Sequence, residues 1–369
     1  MASDVLDLFT ELAAVPSPPG DERAVADLVL AYLRDCGLHA DEDGVGPEIG
    51  SNAGNIYARL EGTSPGDPLL FCAHLDTVPP TAAIQPVVED GTVRNSAGTI
   101  LGADDKSAVA AMLDATRSVL AENRPHAGIE LLFTPREEVG LEGAAAFDHE
   151  RLHARIGYVY DQAAPIGTVI VGAPFSQSLE VTFHGRASHS GMHPDEGRSA
   201  IAAAARAISE MRLGRVDEIS TANVGTISGG TAANIVPEWC TFVAEARSHD
   251  ERRLADLVQE MQDAVTFAAG VAECEATTVT RKSYRGYRFG RSDRPVALAA
   301  AALERCGHAV HYELSGGAAD ANVFNNLGFQ VVNLANGMID IHTPAERITV
   351  SDLEAMVDVT LALIDGARE

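Results

Sequence analysis

A chain of 369 residues, 46% of them apolar, exceeds what one hydrophobic core usually serves, so two domains are the default expectation. A formal charge of −26 excludes nucleic acid and anionic membrane surfaces as partners, because both would repel it. No apolar segment approaches the roughly 20 residues of a membrane span. Met1-Ala2-Ser3-Asp4 lacks a basic stretch leading into an apolar run, so no signal peptide is expected. The cysteines, Cys36, Cys72, Cys240, Cys274 and Cys306, are odd in number and scattered without zinc-finger spacing, which points to a reducing cytoplasm.

Apolar residues recur at helical spacing over residues 4–14 and 21–36; the second stretch opens after Ser17-Pro18-Pro19-Gly20 and closes at Gly37. Short apolar runs at 55–60 and 69–73 read as strands. An alanine-rich helix is expected over 105–120, then strands at 129–133 and 158–160. Strands alternating with helices predict an α/β fold with a mixed, mainly parallel sheet flanked by helices. In such sheets ligands bind where the strands end.

The character changes near Ala173-Pro174. The chain then reads strand 179–184, helix 199–211, strands 222–228 and 238–248, helix 250–269 and strand 275–281. Four strands with two helices would form a small α+β sandwich of their own. After 284–289 a helix over 294–306 begins, and strand–helix alternation resumes. The expected organisation is a catalytic domain of residues 1–176 and 287–369, interrupted by an inserted domain of residues 177–286.

Five short segments carry metal-ligand chemistry, and none lies in the insert. They are His74-Leu75-Asp76, Asp104-Asp105-Lys106, Glu137-Glu138, Asp161 and His342, and most of them follow apolar strand-like runs. His74 and Asp76, two apart at a strand end, point to one side, which suits an imidazole ligand oriented by a carboxylate. Asp104 at a helix start is also explained by capping and the helix dipole, and His342 alone also reads as a satisfied core histidine. Glu137-Glu138 is harder to explain without a cation, because adjacent acids ending an apolar strand repel each other. Two imidazoles and three carboxylates can hold two zinc ions and leave one glutamate as general base. The charges then balance: two Zn²⁺ bring about +4, and Asp104, Glu137, Glu138 and Asp161 bring about −4.

In this order the motifs resemble the dinuclear-zinc peptidase and deacylase superfamily that includes carboxypeptidase G, acetylornithine deacetylase and succinyl-diaminopimelate desuccinylase. The similarity is to its peptidase T-like (tripeptidase) branch. It is carried by His74-Leu75-Asp76-Thr77-Val78-Pro79-Pro80, Thr99-Ile100-Leu101-Gly102-Ala103-Asp104-Asp105-Lys106, Glu137-Glu138-Val139-Gly140-Leu141-Glu142-Gly143-Ala144 and Ile341-His342-Thr343. The resemblance spans nearly the whole chain. It implies that His74 and Asp161 bind one zinc, that Glu138 and His342 bind the other, and that Asp104 bridges them. Asp76 would orient His74, and Glu137 would serve as general base and then protonate the leaving amine.

The resemblance makes the insert a lid that also forms a homodimer contact. Gly185-Arg186-Ala187-Ser188-His189-Ser190-Gly191 matches the lid motif whose histidine stabilises the oxyanion, here His189. Gly229-Gly230-Thr231-Ala232-Ala233-Asn234 and Arg247 match positions that hold substrate backbone or carboxylate. Gly316-Gly317-Ala318-Ala319-Asp320 keeps a glycine-rich turn without an assigned role. The implied activity is removal of the N-terminal residue from short peptides, tripeptides foremost, with two Zn²⁺ per subunit and Co²⁺ or Mn²⁺ as substitutes. An N-acyl-amino-acid deacylase or carboxypeptidase would use the same chemistry, and a catalytically inactive peptide-binding relative is the reading from another class.

Overall fold

The computed structural model describes residues 5–368, which divide into two compact units: residues 5–172 with 288–368, and Ala173–Tyr287. The first expected helix spans Val5–Ala13, its predicted first residue, Asp4, lying outside the described residues. The second spans Arg23–Asp35 and buries Val25, Ala26, Val29 and Leu33, one stripe of a helix at its 3.6-residue period.

In the first unit a mixed sheet runs in the order Ala40–Glu42, Ile56–Leu60, Ile129–Thr134, Leu69–His74, Ile156–Val159, Gln330–Leu334, Thr168–Ala173, and His311–Leu314 lies alongside the last of these. The four central strands are parallel. Leu69–His74, Ile129–Thr134 and Ile156–Val159 are buried at every position, which is why they read as continuous apolar runs and not as alternation.

Register decides where the site forms. His74 lies opposite Thr134, Cys72 opposite Val159, and Val159 opposite Asn333. The residues that follow each strand therefore leave the sheet at the same edge. Phe71, Leu131, Phe133 and Tyr158 from the sheet share a core with Phe9, Leu12, Val109, Met112 and Leu363 from the helices. Burying each large side chain stabilises the fold by about 1.5–3 kcal/mol.

The alanine-rich helix spans Ala103–Glu122, but Asp104 (φ −83°, ψ 105°) and Asp105 are not helical, and the peptide joining them is cis. The acidic pair thus precedes the first regular turn instead of lying within it. A small sheet ordered Arg347–Thr349, Thr92–Asn95, Pro86–Glu89 lies outside the expected elements, because strands of three or four residues leave too little periodicity to read.

The second unit is an antiparallel sheet ordered Gly214–Arg215, Ser220–Gly229, Trp239–Ser248, Phe175–His184, Glu275–Tyr284. Its four long strands and the helices Ala200–Glu210 and Glu251–Ala272 match the expected composition, with a two-residue strand added at one edge. Leu179, Val181, Phe183, Phe242 and Ala244 pack with Ala203, Ala207, Leu257 and Met261 in a core of their own.

Candidate metal centre

His74 ends its strand almost fully buried, at 2% exposure. Its Nδ1 lies 2.8 Å from the backbone carbonyl of Asp76, which can only accept, so Nδ1 carries the proton. Nε2 faces Asp104 Oδ1 at 3.2 Å, where in the metal-free protein it donates a second proton and where a cation would displace that proton. Asp161, beyond the end of Ile156–Val159, is clamped by Asn333, whose amide receives the Asp161 N–H at Oδ1 and donates to the Asp161 carbonyl. Ligand atoms of His74, Asp104 and Asp161 all lie within 4.8 Å of one another.

A second cluster shares Asp104. The other carboxylate oxygen, Oδ2, is 3.1 Å from His342 Nε2, and Glu138 Oε1 is 3.0 Å from the same nitrogen. His342 sits in the left-handed region (φ 63°) within a loop closed by paired N–H bonds between Ile339 and Arg347. Asp104, Glu138 and His342 form the second set of donors within 4.8 Å. His74 and Asp104 are buried and Asp161 is half-buried, whereas the His342 side chain is 44% exposed.

Asp76 faces His74 with two groups. Its backbone carbonyl takes the Nδ1 proton at 2.8 Å, and its carboxylate Oδ1 lies 3.6 Å from the same nitrogen, at ion-pair distance. The carboxylate turns to the neighbouring strand end, where Oδ1 accepts the N–H of Glu137 at 2.9 Å and Oδ2 accepts the N–H of Glu138 at 3.1 Å. The reason is the parallel register, which sets the turn after Thr134 beside the turn after His74.

The electrostatics call for positive charge. Burial, reinforced by Asp161, pushes the Glu137 carboxyl well above its usual range, and burial with Asp104 does the same to Asp161. Burial also pushes Asp104 upward, but hydrogen bonds from His342 and His74 override it and leave that carboxyl low. Hydrogen bonds to Asp104 and Glu138 raise His342 to about 10. Carboxylates that pull an imidazole this far toward its cation, next to others that resist ionising, fit a pair of divalent cations held by mixed nitrogen and oxygen donors. His74, Asp104 and Asp161 would hold one, and Asp104, Glu138 and His342 the other.

Several supporting residues went unassigned in the sequence. Asn333 clamps Asp161, and Asn336 donates to the Tyr160 carbonyl and to Ser107. Asp320, from the glycine-rich turn, is buried behind His74; its Oδ2 accepts from Thr134 at 2.6 Å and from the Cys72 thiol at 3.6 Å, and burial raises its carboxyl to about 6. Lys106 is fully buried, pushed down to about 7 by burial, with Glu346 and Asp76 opposing that shift. No spacing rule reaches these, because each partner is distant in sequence.

In the inserted unit, His189 Nδ1 accepts N–H bonds from Gly191 and Met192, both at 3.2 Å. Ser190 N–H donates to the Asn234 carbonyl, and His189 bridges Ile235, so His189 and Asn234 share one corner. That corner continues from the Trp239–His184 pair at one end of the sheet. Arg247 pairs with Ser176 at the other end, 3.1 Å from Glu245 and over the Tyr284 ring at 5.9 Å.

Comparison with known proteins agrees with this geometry. The model of the peptidase dimerisation domain of family M20 matches residues 175–273, and that of peptidase family M28 matches residues 55–170. The aminopeptidase PepT of Bacillus cereus is 36% identical, with a TM-score of 0.90 and coverage of 99% of this chain and 98% of that one. A tripeptidase of Staphylococcus aureus is 35% identical, with a TM-score of 0.94 and the same coverage. The uncharacterised protein YqjE of Bacillus subtilis is 37% identical over 365 residues, 99% of this chain and 98% of its own. The paired metal-ligand clusters, the mainly parallel sheet with its inserted antiparallel unit, and full-length similarity at this level place the chain among the metallopeptidases, in the peptidase T-like branch of the M20 superfamily.

Proposed function

We propose that this chain removes the N-terminal residue from short peptides, tripeptides foremost, using two divalent cations, zinc being the natural pair for these ligands. The observation that carries the reading is Asp104, whose two carboxylate oxygens face two different imidazoles, each within a separate set of donors. When bound, the two cations would supply Lewis acidity that polarises the scissile carbonyl and acidifies water.

The rest is the work of the chain. Glu137 is in neither ligand set, and its backbone is fixed by Asp76. Its carboxylate takes a proton from the attacking water and returns it to the leaving amine. Burial favours the protonated form of this side chain, which suits the second of those steps. His189 supplies a donor to the developing oxyanion, Asn234 holds substrate backbone, and Arg247 holds the substrate carboxylate.

The insert serves as lid and homodimer contact. Arg247 is eight residues along its strand from Trp239, roughly 25 Å at about 3.3 Å per residue. The His189–Asn234 corner lies beyond Trp239, so one short peptide does not span that corner and Arg247 of the same chain. A second subunit supplying the corner resolves this. Among the described residues no helix is long and apolar enough to cross a membrane. The five unpaired cysteines support a reducing, cytoplasmic location.

The test is hydrolysis of matched free, N-acetylated and C-amidated di- and tripeptides. An aminopeptidase releases the N-terminal residue of the free tripeptides and spares the N-acetylated ones, and C-amidation, which removes the Arg247 contact, weakens cleavage without changing the bond cut. Preference for the N-acetylated substrates assigns a deacylase, and release of the C-terminal residue from free tripeptides assigns a carboxypeptidase. Binding without cleavage of any assigns an inactive relative.

A further inference from the structure

Glu346 is not a ligand, yet at 2% exposure it is as buried as His74. Its Oε2 accepts the backbone N–H of Leu101 at 2.8 Å and of Gly102 at 3.0 Å, and its Oε1 accepts that of Asp104 at 3.1 Å. These donors precede the first regular helical turn, since Gly102 has φ 78° and Asp104 has ψ 105°, so no helical carbonyl can satisfy them. A carboxylate is the strongest acceptor available to such N–H groups, whose partial charges sum at a helix start.

Glu346 belongs to the loop of His342. Ile339 and Arg347 close that loop with paired N–H bonds of 3.0 and 3.1 Å, and the Glu346 N–H donates to the Thr343 carbonyl at 3.1 Å. One side chain therefore fastens the loop of one imidazole onto the backbone of the carboxylate common to both clusters. We propose that Glu346 is a positioning residue that fixes Asp104 relative to His342 and, through the two oxygens of Asp104, sets the geometry of both metal positions. The proposal rests on the two-metal reading above. Truncating His342 would touch one cluster, whereas releasing Asp104 touches both.

Glu346→Gln tests this with little change of shape. The amide has one acceptor oxygen, and its NH₂ would confront an N–H, so either the Leu101–Gly102 side or the Asp104 side is lost. Full-length wild type, Glu346→Gln and the shorter Glu346→Asp are demetallated, checked for fold by circular dichroism, and titrated with Co²⁺ against a chromophoric chelator. Both ions should bind Glu346→Gln roughly 10- to 100-fold more weakly, with altered visible d–d absorption for each. Wild-type affinities and spectrum in a variant that is merely less heat-stable would reduce Glu346 to a structural role and overturn the proposal. So would weakening of one ion alone. Wild-type protein that takes up no Co²⁺ overturns the two-metal reading itself, an outcome visible before any variant is compared.

Discussion

The Asp76 carboxylate accepts the backbone N–H of Glu137 at 2.9 Å, so a residue two positions after His74 fixes the turn that carries the proposed general base. The second oxygen does the same for Glu138. Asp76→Asn keeps the size but presents an NH₂ group to one of those donors. We expect kcat to fall roughly 10- to 100-fold while His74, oriented by a backbone carbonyl, still binds metal. Metal content and kcat measured together check this; loss of metal with unchanged kcat per bound ion would make orienting His74 the main task of the carboxylate.

Glu137 and Glu138 are neighbours for which we propose different tasks. Glu138 Oε1 reaches the nitrogen of His342, and Glu137 belongs to neither donor set. Glu137→Ala should lower kcat by a factor on the order of 10²–10⁴ and leave the metals in place. Glu138→Ala should weaken metal binding first. Elemental analysis beside steady-state kinetics separates the two, and the reverse pattern means that their roles are exchanged.

Metal uptake should depend steeply on pH. Hydrogen bonds to Asp104 and Glu138 raise His342 to about 10, above its ordinary 6.5. A cation must displace that proton, so affinity at this position rises with pH, by roughly tenfold per unit for each proton released, up to that value. In the metal-free protein the sign is opposite. The raised pKa makes the His342 contribution to stability complete below about 6.5, and it is lost as pH climbs toward 10. Chelator-competition titrations and thermal melts at pH 6, 7 and 8 read both slopes; a flat affinity profile contradicts this assignment of charge.

His189→Ala should lower kcat much more than it changes metal content or thermal stability. The ring is engaged by the N–H groups of Gly191 and Met192 on one nitrogen, which leaves the other to face substrate. Wild-type kcat in this variant would show that the lid selects substrates without touching the oxyanion.

Four of the five residues in the two donor clusters stand out along the chain, because His74, Glu138 and Asp161 follow apolar runs and Asp104 precedes a helix; His342, in a loop, does not. The parallel sheet was legible for the same reason: Leu69–His74 and Ile129–Thr134 are buried on both faces and therefore uniformly apolar. What the sequence hid depends on register. Nothing along the chain says that the turn after Thr134 lies beside Asp76, so the hold of its carboxylate on Glu137 and Glu138 was not legible. Glu346 gives no signal along the chain, because its partners lie more than 240 positions away. Asp320 follows a glycine-rich turn, and only the fold carries it to Thr134 and Cys72.

The most direct test is to add Zn²⁺ stepwise to exhaustively demetallated protein while following hydrolysis of a free tripeptide. The shared Asp104 predicts that activity is absent at zero metal, rises with added ion and saturates at two ions per chain. Full activity without metal, or saturation at a single ion, would contradict the account.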